Sequence, residues 1–418
     1  MRALFLCLLG ALLMLWATGS RPDSADDFRQ FYRAGSLAGQ HESVYSHPAL
    51  FPDKGKDGVF LPFIRIPSYA LVFRPIAKLP YFEARRIWLS LGFLALIGAV
   101  WLMPSGRAEM AAAAAWSLPV AYAFVLGQDI FFVVLIVLLA ARIASSGKEF
   151  LGGLALSLLG IKITYLPAVG LACLAKSRRA TLGLITGVSL QLVLSFAMEG
   201  FGWPLKYVTL LRNPLFDLEP RRMLNIRAIT TAFHLPSAIY LAAALGLYAL
   251  LWVASKRVRL ADALIVALPI GLIASPHCYV YDAVVLIPLF ARSLRAEGWA
   301  GKFALLGLTP LPYLALMSET PWCLFLGSSL LVTATIVSVV SFSKQEAEHA
   351  EPNPLPPSSG SEWALFERRP KSRGDLSSLS GRQNYYKYIH LAAKAVRAEY
   401  STSEVACVTR SGVYLAHS

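Results

Sequence analysis

Charged residues are scarce in this chain: they make up 15% of its 418 residues, against 56% that are hydrophobic. Apolar runs near the bilayer-spanning length of about 20 residues recur from end to end, which excludes a soluble chain and predicts a polytopic α-helical membrane protein. Cysteine is nearly as sparse. The five cysteines stand singly, with no metal-ligand spacing, so neither a metal nor another cofactor is indicated. Cys278 and Cys323 fall near the same expected face, but isolated residues give no ground for a disulfide framework. Lys and Arg are missing from three short turns, 127–129, 275–278 and 318–321. The turns expected on the other side hold Arg107, Arg142, Lys148, Lys176, Arg178, Arg179, Lys256, Arg257, Arg259, Arg292, Arg295 and Lys302. The positive-inside rule makes that second set cytoplasmic and places the two long connections, 20–86 and 199–236, outside. The net charge of +14 is largely this bias, so nucleic acid is not an expected partner despite the basic balance.

The expected spans are Leu4–Gly19, Ile87–Met103, Met110–Leu126, Ile130–Ala144, Thr181–Met198, Ala238–Ser255, Ala261–Ser275, Tyr279–Leu294, Phe303–Met317 and Trp322–Phe342. The stretch Phe150–Ala175 is too long for one span and carries Lys162 and Pro167 in its middle, which predicts two short helices meeting in a bend. The fold class expected is therefore all-α, a membrane bundle of about ten to twelve elements with interfacial helices in the outer loops. The first span has the length of a signal-peptide core, but with so many spans after it an uncleaved anchor is expected. Residues 1–343 form the membrane domain. Residues 344–418, with a Pro/Ser-rich stretch and many charges, read as a disordered cytoplasmic tail with one amphipathic helix, Tyr385–Tyr400.

The first outer loop opens with Asp26 and Asp27, followed by Phe28, Phe31, Tyr32 and Gly35 at helical spacing. A carboxylate at a helix start beside the bilayer is favoured as an anion by the helix dipole and disfavoured by desolvation, a balance that suits a general base. The plainer reading is that Asp26 pairs with Arg29 or Arg33 while Asp27 caps the helix. Cations able to hold a phosphate lie in both outer loops, Arg65 and Arg74 in the first and Arg221, Arg222 and Arg227 in the second, although each could equally meet lipid headgroups. His277 stands near Asp282, where it could be held cationic against a phosphate. Gln128 and Asp129 sit at an outer helix end, able to bind a sugar or merely to cap the next helix. Lys162, inside the bilayer, must line a cavity, snorkel or cap the broken helices.

Taken in order, several stretches resemble the membrane glycosyltransferases of the GT-C superfamily, and most closely family 87. They are Asp27-Phe28 with Phe31-Tyr32 and Ala34-Gly35; Pro67 through Arg74-Pro75-Ile76-Ala77, Leu79-Pro80 and Arg86-Ile87-Trp88; Gly127-Gln128; Gly153 to Lys162; and Ser275-Pro276 with Tyr281-Asp282. The resemblance implies inverting transfer of a hexose, mannose by analogy, from a polyprenyl-phosphate donor to a glycolipid or glycan acceptor. It places the reaction on the extracytoplasmic face of a bacterial plasma (inner) membrane. It also implies an aspartate of the first outer loop as base, which Asp27 matches, with Asp26 beside it. The chain departs from the family pattern at Arg65-Ile66-Pro67-Ser68, where relatives often have Tyr-Pro-Pro, and at Asp129, where a neutral residue is usual. Two other classes stay open: a transporter or flippase of lipid-linked sugars, which would need no base at Asp27, and a non-catalytic membrane scaffold.

Overall fold

The computed structural model describes residues 27–46, 49–50, 60–212, 223–318, 320–350, 407–409 and 412–414. The expected first span, Leu4–Gly19, lies outside these, as do Asp26, Arg221, Arg222 and the tail helix expected over Tyr385–Tyr400.

The chain divides into two units, Met1–Glu351 and Pro352–Ser418. The first is helical. It opens with α1 (Phe28–Gly39), a two-residue strand pair, β1 (Ala49–Leu50) with β2 (Phe60–Leu61), and a 3-10 turn (Pro67–Tyr69) leading into the one-turn α2 (Ala70–Phe73). There follow α3 (Tyr81–Leu102), α4 (Arg107–Trp116) bent by 59° onto α5 (Leu118–Val125), and the shorter apolar α6 (Ile130–Ser145). Next come α7 (Glu149–Leu156), a 3-10 stretch (Ser157–Tyr165), α8 (Leu166–Lys176), α9 (Arg178–Glu199) and the short α10 (Trp203–Leu211). The remainder is α11 (Ile226–Ala232), α12 (Ser237–Arg257), α13 (Leu260–Ala274), a 3-10 stretch (Val280–Leu286) running into α14 (Ile287–Ser293), α15 (Trp299–Leu308) bent by 47° onto α16 (Leu311–Met317), and α17 (Pro321–Ala350). Among the described residues, five helices are long and apolar enough to cross a membrane, or seven if each bent pair is one span.

The basic turns gather at one end. Arg295 pairs with Glu109, Arg292 and Arg259 both pair with the buried Asp262, and Lys176 Nζ donates to the Lys256 carbonyl at 3.4 Å. At the other end Glu199 closes α9 against the first loop: Ser43 Oγ donates to Oε2 and the Val44 amide to Oε1, both at 2.6 Å. Outward faces of the long helices stay apolar. Leu182, Ile185 and Val193 on α9 and Leu241 and Leu245 on α12 are exposed, as expected of surfaces that meet lipid rather than water.

By length and composition Glu149–Lys176 passes for a single span. Its two ends nevertheless lie together: Ser177 Oγ, directly after Lys176, donates to Glu149 Oε2 at 2.6 Å. The segment is a re-entrant hairpin that enters from the basic end, breaks at Lys162 (φ −135°, ψ 82°) and returns. The bend expected from Lys162 and Pro167 is therefore present, with the backbone break at the lysine. α7 runs alongside α9 at close range because both faces carry glycine. A Cβ on Gly153 would lie 1.9 Å from the Ala180 carbonyl oxygen, and one on Gly183 would lie 2.0 Å from that of Phe150. Without a hydrophobic force between helices in lipid, such close backbone packing is what holds them together.

Aromatic side chains form the floor beneath α1. Phe28, Phe31, Phe73 and Trp88 pack with ring centroids 4.8–6.4 Å apart, and Gly35 lets α1 rest on the backbone of Phe73. At the other boundary, α17 continues past Ser343 to Ala350 because Lys344-Gln-Glu-Ala-Glu-His-Ala is built of strong helix formers. In the second unit the described residues form an antiparallel pair, β3 (Cys407–Thr409) with β4 (Gly412–Tyr414), in a stretch where no ordered structure is expected from composition. In its register Val408 stands opposite Val413.

Candidate active site

The site grows from the turn between α5 and α6. Gly127 has a positive φ of 65°, which a side chain would disfavour, and the Gln128 amide reaches back to the Ala123 carbonyl at 2.9 Å. Trp88 Nε1 pins the turn by donating to the Gly127 carbonyl at 2.8 Å. Both following side chains are thereby directed inward: Gln128 is 3% exposed and Asp129 is 0% exposed.

Asp129 receives a two-pronged contact from Arg65, with Nε 3.0 Å from Oδ2 and Nη2 3.2 Å from Oδ1. Arg65 Nη1 donates to the Ile64 carbonyl at 3.1 Å, and the guanidinium lies 5.4 Å from the centre of the Phe31 ring. Burial opposes its charge, but the Asp129 carboxylate more than offsets this, and the guanidinium is held above its ordinary range. Lys162 Nζ stands 3.7 Å from Asp129 Oδ1 and donates to Asp282 Oδ1, with its charge 5.1 Å from the Tyr281 ring. The other Asp282 oxygen accepts the Tyr279 amide at 2.9 Å, capping the 3-10 stretch that carries it. Arg65, Asp129, Lys162 and Asp282 thus alternate in sign through a buried chain of two cations and two anions. Pairing of this kind lets charges persist where isolated ones would be too costly.

Asp27 is the residue immediately before α1, but its carboxylate makes no capping bond to that helix. It accepts a hydrogen bond from Gln128 Nε2 across the site, and it lies close enough to Tyr281 to act on that phenol electrostatically. The capping role is therefore not the one the side chain adopts. Asp26, expected to pair with Arg29 or Arg33, lies outside the described residues.

The turn after α13 borders the site. Arg227 Nη1 donates to the Pro276 carbonyl at 2.7 Å, Asn225 Nδ2 to the Ser275 carbonyl at 2.8 Å, and Ser275 Oγ to the His277 carbonyl at 2.7 Å. The His277 ring stands edge-on to Tyr279, 4.9 Å between centres. Burial pushes its pKa down to about 4, and Asp282 only partly opposes this. The expectation that Asp282 holds His277 cationic is corrected: Asp282 is engaged by Lys162, and the imidazole is neutral near pH 7.

Of the residues singled out from sequence, the structure brings Asp27, Gln128, Arg65, Lys162, Asp282 and His277 into one neighbourhood. Arg65 is turned onto Asp129 rather than left open to an anion, and Lys162 neither snorkels nor stands alone. Arg74 is exposed at the end of α2. Asp129, expected from sequence to bind a sugar or cap the next helix, is instead the partner of Arg65. The signal that points to it is charge balance, since buried Arg65 and Lys162 require two carboxylates and Asp282 supplies only one. Among the described residues no group of three or more His, Cys, Asp or Glu is placed to hold a metal ion.

No curated protein and no solved structure matches the chain. The sequence model described as Glycosyltransferase family 87 matches residues 63–276, which include Arg65, Arg74, Gln128, Asp129 and Lys162. That match spans more than half of the chain, and the protein, an integral-membrane glycosyltransferase, belongs to glycosyltransferase family 87.

Proposed function

We propose that this enzyme moves a hexose, mannose by family resemblance, from a polyprenyl-phosphate donor to a glycan or glycolipid acceptor, with inversion and with Asp27 as general base. The observation that carries the proposal is the Asp27 carboxylate, which is not used as a helix cap and is aimed by a buried amide beside a charge-balanced cluster. In the step, an acceptor hydroxyl oxygen attacks the anomeric carbon from the face opposite the phosphate. The bond from that carbon to the phosphate oxygen breaks, and the hydroxyl proton passes to Asp27. Polyprenyl phosphate leaves with the electron pair. A positioned carboxylate contributes on the order of 10²–10⁴ in rate to such a transfer.

The leaving phosphate gains negative charge and requires cations or hydrogen-bond donors. Arg65 and Lys162 are already balanced by Asp129 and Asp282, which leaves Arg74, Arg221 and Arg222, with Arg227 and a neutral His277 at the neighbouring turn, as its partners. With the basic turns cytoplasmic, the site faces the extracytoplasmic side of a bacterial inner membrane and the tail lies inside. The re-entrant hairpin with a buried lysine also suits a flippase of lipid-linked sugars, but a flippase makes no new glycan. The discriminating experiment is sugar transfer from a radiolabelled polyprenyl-phosphate mannose in membranes carrying the protein. Appearance of labelled glycan supports the proposal, and transbilayer movement of intact donor without transfer replaces it with the flippase reading.

A further inference from the structure

Gln128 is fixed on both sides. Its preceding carbonyl is held by Trp88 and the next side chain, Asp129, is locked to Arg65, so the backbone that carries the amide is held in place. Its Nε2 donates to Asp27, whose negative charge selects that amide orientation, because the reverse would set two oxygens against each other. That leaves Oε1, an amide oxygen on a side chain 97% withdrawn from solvent, with no hydrogen-bond partner among the described residues. Buried acceptors are normally satisfied, and one left open beside a reactive carboxylate points to a donor brought by a ligand.

We infer that Gln128 has two tasks: through Nε2 it positions the Asp27 carboxylate and favours its ionised form, and through Oε1 it accepts a hydroxyl of the transferred sugar. Gln128 is then a specificity-determining residue, because a buried amide oxygen left unpaired discriminates against a sugar that lacks the hydroxyl it was placed to receive. The inference rests on the reading of Asp27 as the base. Of the charged and titratable groups, Tyr281 from the 3-10 stretch before α14 acts on Asp27 electrostatically, Arg29 follows two positions on in the chain with its guanidinium against the Tyr81 ring, and the balanced Arg65–Asp129–Lys162–Asp282 chain lies beyond Gln128. None of these is removed when Gln128 is replaced, so a change in the Asp27 titration reports the amide.

The experiment compares wild type, Gln128→Met and Gln128→Glu in membranes, using polyprenyl-phosphate mannose and its 2-, 3-, 4- and 6-deoxy forms. Loss of the Nε2 donor disfavours ionised Asp27, so the acid limb of kcat/KM against pH should move upward by about one to two pH units in Gln128→Met. Gln128→Glu retains the volume and an acceptor oxygen but opposes one carboxylate with another, and its acid limb should move upward further. Wild type and Gln128→Glu should reject one deoxy donor by about 10-fold or more relative to the others, and Gln128→Met should lose that discrimination. An acid limb that stays in place in both variants overturns the positioning task. Identical deoxy discrimination in wild type and Gln128→Met overturns the acceptor task. Asp27→Asn is measured alongside: if it transfers sugar normally, the assignment of the base has failed, whereas an inactive Asp27→Asn with unmoved Gln128 variants removes this inference alone.

Discussion

Replacing Asp129 by Asn tests whether the buried charges form one balanced unit. Arg65 is 8% exposed, Lys162 9%, Asp129 0% and Asp282 5%, so none can recover water when its partner is lost. Asp129→Asn leaves two cations against one anion, with Arg65 keeping at most one prong of its contact and facing an amide N–H donor at the other. Removing one member of a buried pair costs about 3–5 kcal/mol, chiefly as an uncompensated buried charge. Arg65→Met with Asp129→Leu removes one charge of each sign and leaves Lys162 with Asp282, and apolar replacement of a whole buried pair is often close to neutral. The double variant should therefore be more stable than Asp129→Asn alone, as expected when no buried charge is left uncompensated. Thermal unfolding in detergent, followed by tryptophan fluorescence, gives the order: wild type and the double variant close together, Asp129→Asn well below. Asp129→Asn melting with wild type, or the double variant melting lowest, would refute the balance.

Three further expectations come from other parts of the molecule. Gly153→Ala should destabilise by about 1–3 kcal/mol or more, because its Cβ meets the Ala180 carbonyl oxygen at 1.9 Å, whereas Gly246→Ala on α12, with nothing within 4 Å, should not; detergent melts of the two separate the cases. His277 is neutral in the fold and titrates at about 4, against 6.5 when unfolded, so the unfolded state binds more protons between those values. Stability is then full above pH 6.5 and falls as the pH drops toward 4, by up to about 3 kcal/mol, and His277→Gln should flatten that slope in melts taken across the range. For topology, in a background without native cysteines, Glu42→Cys should react with an impermeant thiol reagent added outside intact cells and Arg257→Cys should not.

The helical architecture was legible because its signals are local. The helices α3, α6, α9, α12 and α13 follow from apolar runs bounded by charge, although α6 and α13 are shorter than a full span, and the break in Phe150–Ala175 follows from a lysine that hydrocarbon does not tolerate. That the break turns the chain back on itself was not legible, since it depends on Ser177 meeting Glu149 and on glycine faces matched between α7 and α9. The site shows the same division. Asp27, Gln128, Lys162 and Asp282 stand out as polar residues at span ends or inside spans. Asp129 stands out at the same span end as Gln128, but its pairing with Arg65, 64 positions away in sequence, does not. The charge state of His277 was misread for a related reason: proximity to Asp282 in sequence suggests a cation, but Lys162 from the hairpin takes that carboxylate and burial governs the imidazole.

The central claim, that Asp27 is the base of a membrane sugar transfer, is tested most directly by Asp27→Asn. The change keeps the size of the side chain and leaves the start of α1 unaltered, since the carboxylate makes no cap bond there, but the amide cannot take a proton from a hydroxyl. With radiolabelled polyprenyl-phosphate mannose and matched amounts of folded protein in membranes, transfer should fall by about 10²–10⁴ while the donor still binds. Transfer at the wild-type rate by Asp27→Asn would contradict the claim.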